Sequence, residues 1–246
     1  MRRFLIPTHL VADETITITG ELFHHMARVL RLKKGSRIIL ADGGGREYLG
    51  TICQVDGESI AVTLEESHAA PVTEAGPRIT LFQGLPRGDR LELILQKCTE
   101  LGAAGIVPFP AARSIARLPD GRLQEKLERW QRIALEAARQ SGRMSAPEVS
   151  FAGNLAEVLR QADHSVKLLL WEEEEAGTLK KLLAELHPPE RIAVIIGPEG
   201  GLTSDEVGSA TKCGFVPVSL GKRIVRTETA GPAILAILQF YWGDIG

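Results

Sequence analysis

Two glycine-rich, charged segments in the last third of the chain limit what it can fold into more than any other feature. The first is Ile196-Gly197-Pro198-Glu199-Gly200-Gly201-Leu202-Thr203-Ser204-Asp205-Glu206, and the second is Leu220-Gly221-Lys222-Arg223-Ile224-Val225-Arg226-Thr227-Glu228-Thr229-Ala230. Each follows an apolar run, residues 191–196 and 215–220, of the kind that forms a buried parallel strand, and each leads into a helix start. Folds of alternating strands and helices place ligands outside such strand ends, so the segments read as two halves of one site. The helix start after the first half is well specified. Thr203 is the N-cap, Glu206 closes a capping box, and Leu202 with Val207 forms a hydrophobic staple.

The upstream rhythm agrees with an α/β domain. Residues 78–83 read as a strand. Asp89 with Glu92 then caps a helix whose stripe is Leu91, Ile94, Leu95, Cys98 and Leu101, ended by Gly102. Residues 105–109 and 167–171 are further strands. Between them, residues 122–141 put Leu123, Leu127, Trp130, Ile133, Ala134, Ala137 and Ala138 on one face of a long helix. A last helix over residues 229–242 holds Pro232 in its first turn, where proline is tolerated.

The first part of the chain is built differently. Residues 37–66 are short alternating segments broken at residues 42–45 and at Asp56-Gly57, which predicts a small β meander or barrel. Before it, residues 20–30 carry Leu22, Met26, Val29 and Leu30 at helical spacing, a short helix that turns Arg28 and Arg31 outward. Residues 69–77, with two prolines and a glycine, have linker chemistry. The expected domains are therefore residues 1–70 and 71–246.

Composition narrows the function classes. The 246 residues are 44% hydrophobic and 24% charged, with no apolar run near the roughly 20 residues that span a bilayer. Pro7 interrupts the start before a signal-peptide core could form, so a soluble, cytosolic protein with no membrane association is expected. Neither the cysteines (Cys53, Cys98, Cys213) nor the histidines show ligand spacing, and no metal is expected. The net charge of −2 disfavours a generic polyanion binder. Within the first 37 residues, however, Arg2, Arg3, Arg28, Arg31, Lys33, Lys34 and Arg37 face only Asp13, Glu14 and Glu21. That local basic face suits selective RNA contact, although on charge alone an ordinary solvated surface is as good a reading.

The glycine-rich loop lacks both the GxxxxGK[ST] and the GxGxxG spacing, and Glu199 would repel a phosphate. A ligand held by backbone groups and carrying a positive centre fits better than a nucleotide. Taken alone, the loop is also compatible with a plain turn before a capped helix. Arg223 and Arg226 are equally compatible with structural ion pairs to Glu228.

These segments, together with His24-His25-Met26-Ala27-Arg28-Val29-Leu30-Arg31-Leu32-Lys33, Lys97-Cys98-Thr99-Glu100-Leu101-Gly102 and Gln140-Ser141-Gly142-Arg143, resemble the RsmE-type 16S rRNA uridine-N3 methyltransferases of the SPOUT superfamily. The likeness runs from end to end. It implies an N-terminal PUA-like β-barrel followed by an α/β domain with a C-terminal trefoil knot. It also implies S-adenosyl-L-methionine as cofactor, a homodimer, and 16S rRNA or the small ribosomal subunit as partner, with uridine 1498 in the usual rRNA numbering as target. The cofactor loops carried over are Leu170, Trp171 and Glu172; Ile196, Gly197, Pro198, Glu199, Gly200 and Gly201; and Leu220, Gly221, Ile224, Val225 and Arg226. Arg3, Arg28, Arg31, Lys33 and Arg143 are carried over to RNA, with Gln140 and Arg143 as candidates to serve the site of the other subunit. Arg139 stands where many members have glutamate, and that position is given no role.

N3 methylation needs an acceptor for the imide proton and a cation for the charge left on O2 and O4. Glu228 or Glu199 is the candidate acceptor, and Arg226 or Arg223 the candidate cation. A carboxylate is a weak base for an imide, so positioning carries much of the rate. Two rival functions remain open: a SPOUT methyltransferase acting on a ribose O2′ or a tRNA base, and a noncatalytic RNA-binding or ribosome-assembly factor. Analysis of the methylated nucleoside separates the first from N3 methylation, and cofactor binding without methyl transfer would mark the second.

Overall fold

The computed structural model describes residues 1–6, 10–11, 13–42, 46–69, 76–116, 121–143, 145–172 and 179–246. The chain divides into two units, Met1–Val72 with Ala138–Ala146, and Thr73–Ala137 with Pro147–Gly246. The expected linker at residues 69–77 and the turn at residues 42–45 fall largely outside the described residues.

In the first unit, β1 (Arg2–Leu5), β2 (Thr15–Thr19), β3 (Arg37–Ala41), β4 (Arg46–Val55) and β5 (Ser59–Ala69) form one sheet in the order β1-β3-β4-β5-β2. Only the β1 and β3 pairing is parallel. Alternation sends Phe4, Ile16, Ile18, Ile38, Leu40, Ile52, Ile60 and Val62 into a single core, so all five strands curve around one apolar interior. Two register shifts in the β4 and β5 pairing bend the sheet. The meander over residues 37–66 matches expectation. Strands β1 and β2 were not anticipated, although the strict alternation of Thr15–Thr19 is a strand signal.

The short helix departs from its predicted register. α1 (Gly20–His24) passes into a π-helical turn at His25–Val29, where the Leu30 N–H donates to the His25 carbonyl at 2.9 Å. The extra residue rotates the stripe. Phe23 and Met26 are buried, whereas Val29, expected inside, is 61% exposed.

The second unit is a six-stranded parallel sheet: β6 (Arg78–Gly84), β7 (Ala103–Phe109), β8 (Glu148–Val149), β9 (Val166–Leu170), β10 (Arg191–Ile196) and β11 (Val216–Val218), in the order β11-β9-β10-β6-β7-β8. Alternate residues of β10 serve opposite faces. Ile192, Val194 and Ile196 meet α2 (Arg90–Glu100), α3 (Leu123–Ser141), α5 (Leu179–Glu185) and α7 (Thr227–Trp242) in one core. Ala193 and Ile195 meet α4 (Leu155–Gln161) and α6 (Ser204–Lys212) in another. The result is a helix–sheet–helix sandwich, as both-face burial of apolar parallel strands requires. Strand order reverses at β6, which has β7 on one side and the much later β10 on the other; the crevice beyond such a switch point is where α/β folds bind ligands.

Three local expectations are corrected. Asp89 makes no side-chain cap on α2; instead the carboxylate of Glu92 reaches Arg129 of α3 at 2.8 Å, an ion pair that takes the place of the capping box. The strand expected over residues 215–220 is only Val216–Val218, because it lies at the sheet edge and pairs with β9 alone. α7 begins at Thr227, so Pro232 sits in the second turn, and its missing N–H leaves the Glu228 carbonyl without the usual helical donor.

Candidate active site

The loops that leave β6, β9, β10 and β11 enclose one cleft of about 1260 Å³. The β10 loop forms its floor. Gly197, Pro198 and Gly201 are buried, and Gly201, at φ +68°, donates its N–H to the Pro198 carbonyl at 2.9 Å. The end of β6 presses directly on this backbone. A Cβ at Gly84 would lie 2.6 Å from the Pro198 nitrogen and 2.9 Å from the Gly197 carbonyl carbon, so only glycine permits the approach.

Buried polar contacts lock the floor in place. Thr227 Oγ1 donates to the Gly197 carbonyl at 2.7 Å and accepts from Gln83 Nε2 at 2.9 Å, tying the start of α7 to both strand ends. Gln83 is fully buried, so these bonds replace water it has lost. On the other side the predicted capping box is present. Glu206 N–H donates to Thr203 Oγ1 at 3.2 Å, and Thr203 N–H donates to Glu206 Oε2 at 2.9 Å. Glu206 Oε1 also accepts from the Ala112 N–H at 2.8 Å, and the Arg113 guanidinium donates to the Gly200 carbonyl at 3.0 Å.

Glu199 is held within this floor. It accepts the Arg87 N–H at 2.9 Å and is in direct contact with the Arg90 guanidinium. Partial burial works to raise its pKa, but the Arg87 N–H, the Arg90 hydrogen bond and the Arg90 charge prevail and hold the carboxyl below its ordinary 4.5.

The β11 loop is the opposite case. Residues 221–226 are all exposed, Ile224 to 84% and the Arg226 side chain to 82%. Among the described residues, the ion pairs of the cleft join Arg90 to Glu199 and Glu228, and Arg226 to Glu228, without Arg223. Arg226 is the N-cap of α7 without capping it by its side chain, so the positive end of that helix also faces the cleft. Just inside stands Glu228, whose side chain is only 14% exposed. Its Oε1 lies 3.6 Å from Arg90 Nε and 3.9 Å from Arg226 Nη1, while Oε2 is buried without a hydrogen-bond partner among the described residues. Leu170, Trp171 and Glu172 form the third wall, the Glu172 carboxylate lying over Gly201.

Every residue that the resemblance assigned to the cofactor lines this one cleft, and so do the residues proposed for the chemistry, Arg223, Arg226, Glu199 and Glu228. The candidate RNA residues belong to the first unit. Arg28, Arg31 and Lys33 are exposed around the π-helical turn, with Arg31 in the left-handed region at φ +52°. Arg3 is engaged by the buried Glu47, Nε to Oε1 at 2.9 Å. Arg143 falls in the Ala138–Ala146 segment of the first unit and is half-buried. Among the described residues no cluster of three histidine, cysteine or acidic side chains is placed to hold a metal ion, and no helix is long and apolar enough to cross a membrane.

Sequence reasoning missed Gln83, Gly84, Arg87, Arg90 and Arg113. One signal was available: charged residues 87–90 follow directly on a buried strand, the same pattern that drew attention to the other two loops.

Comparison with known proteins fits this geometry. A family model for an RNA methyltransferase domain matches residues 73–239, and one for an RNA methyltransferase PUA domain matches residues 18–65. Ribosomal RNA small subunit methyltransferase E of Bacillus subtilis (strain 168) is 35% identical over 235 residues, covering 92% of this chain and 90% of the relative. The protein of the same name from Synechocystis is also 35% identical, covering 95% of this chain and 76% of the relative. Among solved structures, ribosomal RNA small subunit methyltransferase E from Neisseria gonorrhoeae bound to S-adenosyl methionine superimposes with a TM-score of 0.82 at 33% identity over the full length of both chains.

Proposed function

This chain belongs to the ribosomal RNA small subunit methyltransferase E family, and from that premise we propose that it methylates N3 of one uridine of 16S rRNA, uridine 1498 in the usual numbering, on the assembled small subunit. The proposed cofactor is S-adenosyl-L-methionine. The observation that carries the reading is the partly satisfied carboxylate of Glu228, set between two arginines at the mouth of a glycine-lined cleft.

The cleft fits the cofactor chemically. Its floor offers backbone carbonyl and amide groups for adenine and ribose. Glu172, Glu199 and Glu228 on its walls suit a sulfonium and do not suit a polyphosphate. Residues 170–172, 196–201 and 220–226 would hold it. When bound it supplies an electrophilic methyl group, the C–S electron pair returning to sulfur as the N3–C bond forms.

The chain's own part is to deprotonate and orient the base. Of the two carboxylates left open by the sequence, Glu199 is committed to Arg87 and Arg90, which leaves Glu228 to take the N3 proton, directly or through water. Of the two arginines, Arg226 is the one near Glu228. It stabilises the uracil anion together with the α7 N-terminus, and Arg223 meets the RNA backbone from the same loop.

A Watson–Crick pair uses N3, so the target must be unpaired or extruded, which favours a folded ribosomal surface as substrate. Arg28, Arg31 and Lys33 in residues 1–70 would read its shape and phosphates, while residues 71–246 act as the methyltransferase domain. The reading includes a trefoil knot in the C-terminal part, a homodimer and action in the cytosol.

The test uses labelled S-adenosyl-L-methionine with small subunits lacking the modification and, in parallel, with protein-free 16S rRNA, followed by nucleoside identification by mass spectrometry. The expected product is 3-methyluridine from subunits. A methylated ribose or another base would overturn the substrate, and cofactor binding with no methylation of either RNA would favour a noncatalytic role.

A further inference from the structure

Glu228 has two arginine neighbours of very different character, an outer one on the open loop and an inner one at the start of α2. Arg226 is solvent-exposed, sits on the open loop and approaches Glu228 Oε1 only to 3.9 Å. Arg90 is the first residue of α2, follows the closely packed Gly84 strand end, and is fixed by direct contact with Glu199. Glu199 is in turn held by the Arg87 N–H. From that anchored position Arg90 Nε reaches the same Oε1 of Glu228 at 3.6 Å.

Resting on the function proposed above, we infer that Arg90 is a positioning residue for methyl transfer: it holds the Glu228 carboxylate in place when Arg226 turns outward to the uracil anion. The physical reason is the cost of an unpaired inner charge. If Arg226 were the sole partner, its movement to substrate would strand a mostly buried carboxylate, which carries a large desolvation penalty. With Arg90 in place the carboxylate keeps a cation beside Oε1, the oxygen that also faces Arg226, and so holds its position for the N3 proton, while Oε2 is buried with no hydrogen-bond partner among the described residues. The guanidinium suits this bridging task because it presents separate nitrogens in a fixed fork: Nη1 serves Glu199 and Nε faces Glu228. A lysine has one nitrogen for both. Arg90 touches neither RNA nor the reacting atoms in this scheme and acts wholly through Glu228.

The experiment is a double-mutant cycle of Arg90→Ala and Glu228→Gln in the full-length protein, with turnover on small subunits read as 3-methyluridine and cofactor affinity measured separately by calorimetry. Arg90→Ala is expected to lower kcat on the order of 10- to 100-fold, the size of effect a misplaced catalytic group produces, with cofactor Kd changed less than about threefold. In the Glu228→Gln background the same change is expected to cost less than about threefold further, because the group through which Arg90 acts is gone. Arg90→Lys, which keeps the charge, is expected to fall between wild type and Arg90→Ala and serves the same cycle if the alanine variant folds poorly.

Unchanged kcat in Arg90→Ala, losses that add fully in the double variant, or a cofactor Kd that rises as much as kcat falls would each overturn the inference; the last would assign Arg90 to the loop floor instead. Absence of 3-methyluridine from the wild-type protein would remove the parent function, a result distinct from an active wild type with an equally active Arg90→Ala variant.

Discussion

The two glycine-rich halves of the cleft have similar sequence chemistry and opposite physical states. Around residues 197–201 several polar groups already have protein partners: the Gly197 carbonyl takes Thr227, the Gly200 carbonyl takes Arg113, and the Glu199 carboxylate takes Arg87 and Arg90. Residues 221–226 are exposed throughout, with an apolar side chain, Ile224, turned to solvent. A capped helix on one side and a buried strand end on the other build the first half without any ligand. The second half joins an edge strand of three residues to an N-cap whose side chain does not cap, and none of the described residues of the second unit covers it. The comparison supports the proposed division of labour, in which a preformed floor would hold the cofactor and the exposed wall would be completed by ligand and RNA.

The largest effect expected from this division is at the floor. Gly84→Val would drive a branched side chain into the backbone of residues 197–198, costing about 1–3 kcal/mol of stability or more and weakening cofactor binding on the order of 100-fold. Calorimetry and thermal unfolding check it, and wild-type affinity in this variant would mean that the floor is not rigid. At the wall, Arg226→Ala is expected to lower turnover on the order of 100-fold while cofactor Kd stays within a few-fold, read as a kcat loss against separate binding data. An equal loss of both would erase the distinction between the halves.

Acid should separate the halves next. Because the folded-state pKa of Glu199 is lowered, its stabilising contribution is complete above the ordinary value of 4.5 and is lost as pH falls through the folded value. Glu199→Gln is therefore expected to be less stable than wild type at neutral pH, with the gap closing below pH 4.5. A gap that stays constant across that range would show that the carboxylate's charge plays no part. The smallest effect belongs to the open loop. Ile224→Ser is expected to leave stability within about 0.5 kcal/mol, since its side chain contacts little in the free protein. A clear drop in melting temperature would place Ile224 in a core and contradict its exposure.

Much of this was legible in the sequence where one element determines its own structure. The capping box of Thr203 with Glu206 needs only residues three apart along the chain, and it appears as read. Strand β10 is a continuous apolar run and has the bounds expected of it. What the sequence hid depends on partners far along the chain. Gln83 reads as the polar end of a strand until Thr227 and Gly197 are brought to it, and Arg90 reads as a helix surface until Glu199 and Glu228 close on it. Glu92 shows the reverse failure: a sound local capping rule lost to an ion pair with Arg129 from another helix. In the first unit the π-helical turn added a residue that no periodicity reveals, and it turned Val29 outward.

The most direct test of the divided cleft is amide hydrogen exchange on the free protein and after saturation with S-adenosyl-L-methionine, resolved to residues 197–207 and 219–228. The account expects the amides of Gly201, Thr203, Glu206 and Val207, all hydrogen-bonded without ligand, to be protected from the start and to change little. It expects residues 221–226 to exchange fast in the free protein and to slow on adding cofactor. Equal protection of both segments before any ligand is added, or cofactor-induced slowing confined to residues 197–207, would contradict it.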